Sequence, residues 1–245
     1  MPVDSQIDER LPDGTLRRVH VPVLMYHYIS RVPDGADDIR INLTTEPPVF
    51  RTHLQYLRDY GYTTVSLEDV YHALTVGAAL PEKPIVLTFD DGHLDHYTDA
   101  FPALREFGFT GTFFIITDLP DTGNVDYMSW AQIQEMAAAG MHIAAHSKTH
   151  RDLRERDMDF LVYEIVGSME SVAAHTGIPN RTFAYPAGRY DEQTLAVMRS
   201  IPATVAVTTE PGAYHTTDGL LEIPRLRISG NLGVVGLEQL LLSSR

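Results

Sequence analysis

The chain has 245 residues, of which 44% are hydrophobic and 21% charged, and its formal net charge is −14. This composition is ordinary for a packed protein of one large or two small domains and excludes a disordered chain. So acidic a chain repels phosphate groups, which argues against nucleic acid and anionic membrane surfaces as partners. It contains no cysteine, so disulfides, thiolate metal sites and cysteine nucleophiles are excluded.

The sequence predicts a polar lead-in over residues 1–20 and a single domain over residues 21–245. No apolar run approaches the roughly 20 residues that a membrane-spanning helix needs. The N-terminus also lacks the apolar core of a signal peptide. We therefore expect no transmembrane segment, and either a cytoplasmic protein or one whose leader has been removed.

Short apolar runs alternate along the chain with amphipathic stretches. The runs predict strands at 21–27, 63–67, 84–90, 111–117, 141–147, 182–186, 203–209 and 222–229. The stretches between them predict helices over 50–61, 67–77, 99–108, 129–140, 157–177 and 191–200. Such alternation is typical of a parallel α/β fold. No G-x-G-x-x-G follows the first strand, so we predict a (β/α) barrel of seven or eight strands rather than a dinucleotide-binding sheet.

Two adjacent carboxylates, Asp90 and Asp91, stand at the end of the third predicted strand. Parallel α/β folds hold their active residues at such strand ends. The following Gly92 permits a sharp turn that would direct both carboxylates into one pocket, one as a base and one as a metal ligand. Alternatively, an aspartate here caps the next helix.

Histidines follow two other strands. His146 ends the fifth strand and His150 comes four residues later, which is the spacing of a two-histidine metal clamp. The chain has 11 histidines, however, so a pair at this spacing also arises by chance. His27 closes the first strand, either as a buried histidine bonded to the backbone or as a general acid near neutral pH.

A third cluster lies around the sixth strand. Arg181 precedes it and Tyr185-Pro186 ends it. An arginine can orient a carboxylate and hold it ionised, and the rigid backbone at Tyr185 could direct its amide toward an oxyanion. The alternatives are a surface ion pair for Arg181 and packing at the barrel rim for Tyr185.

Taken together, T-F-D-D-G at 88–92, H-S-K-T-H at 146–150 and R-T-F-A-Y-P at 181–186 resemble the motifs of the metal-dependent polysaccharide deacetylases of carbohydrate esterase family 4. The resemblance extends over about residues 21–230. It implies a distorted (β/α) barrel that removes N-acetyl groups from an N-acetylglucosamine-containing polysaccharide and yields acetate and a free amine. It also implies an extracellular or cell-envelope location.

The resemblance assigns a role to each matched residue. Asp91, His146 and His150 match the ligands of one divalent metal ion, zinc by preference, with nickel, cobalt or iron as alternatives. Asp90 matches the catalytic base, and Arg181 matches the arginine that orients it.

Two aromatic residues also acquire roles by resemblance. The backbone amide of Tyr185 matches the oxyanion donor, so Tyr185 is expected to contact substrate. Trp130 resembles the aromatic that walls the substrate groove, although a lone tryptophan before a helix could equally be a core anchor.

The general acid departs from the common pattern of the family. Most members carry Leu-x-His near the C-terminus, whereas residues 223–228 here read I-P-R-L-R-I without a histidine. The opening V-L-M-Y-H at 23–27 resembles the poly-β-1,6-N-acetylglucosamine deacetylases, in which an N-terminal histidine is the acid. His27 is therefore the expected acid, with His215 in reserve. An O-acetyl esterase acting on xylan, or a carbohydrate-binding barrel without turnover, are the remaining alternatives.

Overall fold

The computed structural model describes residues 12–230 and 232–244. Within those ranges the chain forms ten strands and nine α-helices. The strands are β1 (Arg18–His20), β2 (Val23–Tyr26), β3 (Thr63–Thr64), β4 (Pro84–Phe89), β5 (Thr112–Ile115), β6 (His142–Ala145), β7 (Thr182–Ala184), β8 (Val205–Pro211), β9 (Tyr214–Thr216) and β10 (Ile223–Arg227). The helices are α1 (Asp38–Leu43), α2 (Pro47–Asp59), α3 (Leu67–Val76), α4 (Phe101–Phe107), α5 (Trp130–Ala138), α6 (Met158–Leu161), α7 (Gly167–Thr176), α8 (Glu192–Ser200) and α9 (Val234–Ser243).

Seven parallel strands close into a barrel in the order β2-β10-β8-β7-β6-β5-β4, and β4 pairs back onto β2. The short β3 lies outside this ring. It pairs with the first residues of β4, whereas β5 pairs with its last two. The barrel is therefore distorted where β3 separates the amino-terminal halves of β4 and β5. The expectation of a single-domain (β/α) barrel is confirmed, with seven strands.

All eight predicted strands are present, as β2 to β8 and β10. The sequence did not predict β1 and β9, which pair antiparallel outside the barrel, nor the helices α1 and α9. Since β1 lies within residues 1–20, the carboxyl end of the predicted lead-in is part of the fold. The first eleven residues of that lead-in lie outside the described residues.

The barrel interior is filled by one apolar cluster to which every barrel strand contributes. Its strand members are Val23, Val86, Phe114, Ala144, Ala184, Val205, Val207 and Ile223. Because side chains alternate between the two faces of a strand, residues two and four positions farther along also point inward. The outward residues pack against the helices in two further clusters.

Helices in the part of the chain that the structure describes are all too short or too polar to span a bilayer.

Candidate active site

Toward the carboxyl end of the barrel, four strands have polar side chains at positions that face the interior. Asp90 lies four residues beyond the inward Val86, and His27 four beyond Val23. In the same way, His146 lies two residues beyond Ala144, and Arg225 two beyond Ile223. Strand periodicity therefore brings together a carboxylate, two imidazoles and a guanidinium from four different strands.

Asp90 is held by a buried arginine. Arg225 Nη1 and Nη2 donate to the two carboxylate oxygens of Asp90 at 2.7 Å each. Nε of the same guanidinium donates to the Thr208 carbonyl at 2.8 Å, and Nη1 also reaches Thr88 Oγ1 at 3.0 Å. Burial by itself would raise the pKa of Asp90, but the charge and hydrogen bonds of Arg225 outweigh it and lower that pKa to about 2. Asp90 is thus ionised at neutral pH.

The expectation that Arg181 orients Asp90 is wrong. Arg181 is exposed and precedes the first residue of β7, so it lies at the amino-terminal end of the barrel, beside a cavity of about 420 Å³ that Glu68 and His142 also line. Asp90 follows the last residue of β4, at the opposite end. Arg225 orients Asp90 instead, and its signal in the sequence is a charged residue at an inward position of an apolar strand.

The three predicted metal ligands lie together. Asp91 Oδ1 is 3.4 Å from Nε2 of His146 and 3.4 Å from Nε2 of His150, and one ligand atom from each residue fits within 4.8 Å. Zinc bonds of about 2.1 Å in a tetrahedral site separate neighbouring ligand atoms by roughly 3.4 Å. His146 Nδ1 lies 2.8 Å from the Ala184 carbonyl, which places the proton on Nδ1 and leaves Nε2 free for a metal. The donor set therefore fits a divalent ion.

The backbone around this cluster adopts an unusual conformation. Asp91, Ser147 and His150 have φ values of 80°, 61° and 59°, in the left-handed region where a side chain costs about 1–2 kcal/mol per residue. Such outliers collect at functional sites. Here they turn the carboxylate and the second imidazole back toward His146.

A further histidine, His93, contacts the other oxygen of Asp91. Its Nε2 lies 3.3 Å from Asp91 Oδ2, and its ring stacks on Tyr28 with a centroid separation of 3.8 Å. Asp91 therefore presents Oδ1 to the two candidate histidine ligands and Oδ2 to His93. In the sequence, only its place in the D-D-G-H run distinguishes His93 from the other histidines.

His27 lies beside Asp90, with its Nε2 3.9 Å from Asp90 Oδ2. Burial lowers the pKa of His27 to about 4, against the opposing effect of the Asp90 and Asp91 carboxylates. The imidazole is therefore neutral at pH 7. The structure thus brings His27 to the site, where its imidazole is neutral and not protonated in the resting protein.

Tyr185 does not have the free amide or the exposed ring that its expected role requires. Its amide donates to the Val207 carbonyl at 3.3 Å, and its side chain is fully buried, with the hydroxyl donating to the Leu221 carbonyl at 2.9 Å. The expectations of an oxyanion donor and of a substrate contact at Tyr185 are both corrected. Its role here is packing at the strand end.

His215 and Trp130 also have contacts other than those expected from the sequence. His215 lies in β9, outside the barrel, and its Nε2 is 2.7 Å from the Val21 carbonyl, so the choice of His215 as reserve acid is wrong. Trp130 donates from Nε1 to Asp121 at 2.8 Å and stacks on His175 of α7 at 3.9 Å. These contacts favour the anchor interpretation of Trp130 over the groove wall.

The chain is similar in sequence and in fold to several known proteins. The model of the polysaccharide deacetylase family matches residues 77–206. The structure of the Streptococcus pyogenes deacetylase PplD, solved in complex with acetate, is 30% identical, with a TM-score of 0.85 over 92% of this chain and 99% of that one. The Bacillus subtilis protein YxkH, named for the same family, is 31% identical over 88% of this chain and 74% of its own length. The poly-β-1,6-N-acetyl-D-glucosamine N-deacetylase of Escherichia coli is 32% identical over 47% of this chain and 19% of its own length.

Proposed function

Because the chain belongs to the polysaccharide deacetylase family, we propose that it hydrolyses N-acetyl groups of an N-acetylglucosamine-containing polysaccharide with one divalent metal ion, zinc by preference. The observation that carries this proposal is the cluster of Asp91, His146 and His150 beside the ionised carboxylate of Asp90. The name of the Escherichia coli relative supports the substrate class. Such a glycan belongs to the cell envelope or its exterior, where we place the enzyme's action.

The cluster would supply one kind of chemistry. Asp91, His146 and His150 would hold a divalent ion, which would supply Lewis-acid chemistry: polarisation of an acyl oxygen and a lower pKa for a nearby water. Asp90 is the residue that accepts the proton of the attacking water, since it is ionised and is fixed by two hydrogen bonds from Arg225. Hydroxide then adds to the acetyl carbon, and the carbon–nitrogen bond breaks.

His27 completes the proton balance. Its neutral imidazole takes up the proton that Asp90 has gained, once the 3.9 Å between Asp90 Oδ2 and His27 Nε2 shortens to hydrogen-bond distance in the substrate complex, and delivers it to the departing nitrogen. Water thereby contributes its hydroxyl to acetate and its proton to the amine. Asp90 and His27 both return to their starting states.

The test is amine release from β-1,4- and β-1,6-linked N-acetylglucosamine oligomers. Chelator-treated protein is assayed before and after addition of zinc, cobalt or nickel, with acetate release from acetylated xylan followed in parallel. We expect amine release only with metal, and at least about a hundredfold loss in Asp90→Asn at unchanged metal content. The control Asp126→Asn changes an exposed aspartate in a loop and should keep full activity. Activity on xylan alone, or full activity without metal, would contradict the proposal.

A further inference from the structure

The two histidines of the cluster flank a short loop, and that loop is tied to a buried carboxylate 15 residues away. Glu164 Oε2 accepts hydrogen bonds from the backbone amides of Lys148 at 3.0 Å and Thr149 at 2.9 Å. Its Oε1 accepts from the Thr149 hydroxyl. Both oxygens of Glu164 therefore hold the segment between His146 and His150.

Glu164 is only 1% exposed, so its carboxylate must be satisfied by protein groups. The lysine of the loop, Lys148, does not do so, because its Nζ pairs with Asp118 at 2.8 Å and donates to Ser171 at 3.2 Å. The carboxylate is matched instead to two amides and a hydroxyl, all on the loop. Its position is therefore coupled to the loop backbone, not to a lysine side chain.

The loop needs such an outside support. Two of its residues, Ser147 and His150, are in the left-handed region, at φ values of 61° and 59°, which is unfavourable for residues other than glycine. One bond within the loop, from the His150 amide to Ser147 Oγ at 2.9 Å, closes the turn. The amides of Lys148 and Thr149 point outward from that turn and find their acceptor in Glu164.

The helix that carries Glu164 is itself adapted to this contact. Glu164 lies in a π-helical turn, Val162–Val166, between α6 and α7. A π-turn inserts one extra residue into a helix and redirects a side chain, and such turns occur often at functional sites. The turn explains how a glutamate in the middle of a long helix reaches the loop.

We propose that Glu164 is a positioning residue for the metal site, which sets the separation of His146 and His150 through the backbone between them. The inference rests on the proposed function, because it takes the Asp91, His146 and His150 cluster as the metal centre. Partners that orient metal ligands without touching the metal typically change its affinity by about 10–100-fold when removed.

The experiment measures the zinc dissociation constant by competition with a chelating dye, on metal-free protein whose fold is checked by circular dichroism. Glu164→Met keeps the length of the side chain but offers the amides no acceptor, and should weaken zinc binding about 10–100-fold. Glu164→Gln can still accept from both amides and donate to the Thr149 hydroxyl, so its affinity should stay within about threefold. The control Ser168→Ala removes from the same helix a buried hydroxyl that donates to the Ile165 carbonyl, and should leave affinity unchanged.

A second variant serves if Glu164→Met does not fold. Thr149→Val removes only the hydroxyl that donates to Glu164, and we expect zinc binding about three- to tenfold weaker. An unchanged dissociation constant in Glu164→Met or Thr149→Val, or an equal loss in Ser168→Ala, would overturn the positioning role. Wild-type protein that binds no metal would instead contradict the proposed function itself.

Discussion

Two opposite charges, on Asp90 and Arg225, lie inside the barrel at its carboxyl end, and both side chains are almost completely buried. Removing one partner of such a pair leaves the other as an uncompensated buried charge, at a cost of about 3–5 kcal/mol. For Asp90 the consequence is also chemical. Burial favours its protonated form, and the guanidinium of Arg225 keeps it ionised and able to accept a proton.

Replacing Arg225 with glutamine should therefore raise the pKa of Asp90, because the charge of Arg225, which opposes the effect of burial most strongly, would be lost. We expect the acid limb of the kcat/KM–pH profile to move to higher pH, and the free energy of unfolding to fall by about 3–5 kcal/mol. Arg181→Gln, an exposed change at the other end of the barrel, is the matched control and should leave the profile in place. A shift in Arg181→Gln without one in Arg225→Gln would restore the assignment made from the sequence.

A second residue, His27, is expected to matter for proton transfer and not for the metal. His27→Gln preserves a polar side chain but cannot carry a proton between Asp90 and the leaving nitrogen. Turnover should fall by about 10²–10⁴-fold, while the zinc dissociation constant stays within about twofold, since His27 is not among the three clustered ligands. Steady-state kinetics and dye competition on the same preparation separate the two. Wild-type turnover in this variant would remove His27 from the mechanism.

At the scale of elements, the turn after β4 positions Asp91. Gly92 has a φ of 79°, and a Cβ added there would lie 3.3 Å from Ile115 Cδ1 in β5. The turn therefore needs glycine for two reasons, its left-handed backbone and its close approach to the neighbouring strand. Asp91, directly before it, is also left-handed, so any shift of the turn moves the carboxylate.

Gly92→Ala should consequently affect both stability and the metal site. We expect a loss of about 1–2 kcal/mol in the free energy of unfolding from the backbone alone and at least about tenfold weaker zinc binding as the turn moves away from Ile115. Gly61→Ala is the matched control, because Gly61 has a similar φ of 72° with nothing within 4 Å of an added Cβ. It should lose comparable stability but bind zinc normally. Urea denaturation measures the free energy of unfolding of both variants. Equal zinc affinities of Gly92→Ala and Gly61→Ala would contradict the role of this turn.

The same elements explain what could be predicted from the sequence. Barrel strands are buried on both faces and so read as apolar runs, which is why β4 and its neighbours were found. The three-residue strands β1 and β9 carry polar residues such as Arg18 and His215 and produce no such run. The cluster of Asp91, His146 and His150 could also be predicted, because its members follow strand ends within recognisable motifs.

At the scale of the whole molecule, closure of the barrel determines which residues meet. Arg225 and Asp90 are 135 positions apart and come together because β10 pairs with β2, which pairs in turn with β4. The buried charge of Arg225 is a local signal in β10, but the sequence of neither strand indicates which residue it will contact. The family resemblance instead assigned the role to Arg181, which lies in a matched motif but at the amino-terminal end of β7. Long-range closure was the physical information that the sequence lacked.

The fold also buries several neutral histidines whose partners are backbone carbonyls. Burial lowers the pKa of His53 and of His215 to about 4, as it does for His27. In the unfolded chain each of them titrates near 6.5. Between these values the unfolded chain binds more protons than the folded one, so the free energy of unfolding decreases as the pH falls from about 6.5 to about 4.

Each such histidine contributes a slope of up to about 1.4 kcal/mol per pH unit in that window. His215→Gln retains a donor for the Val21 carbonyl but cannot titrate, so it should reduce the slope by about that amount. Urea unfolding of metal-free protein at half-unit steps from pH 7.5 to 4.5 measures this directly. Above pH 7 the two proteins should differ by a constant offset, which serves as the internal control. Parallel curves down to pH 4.5 would mean that His215 takes up its proton equally well in the folded protein, and that its burial beside Val21 is not what sets the acid sensitivity of the fold.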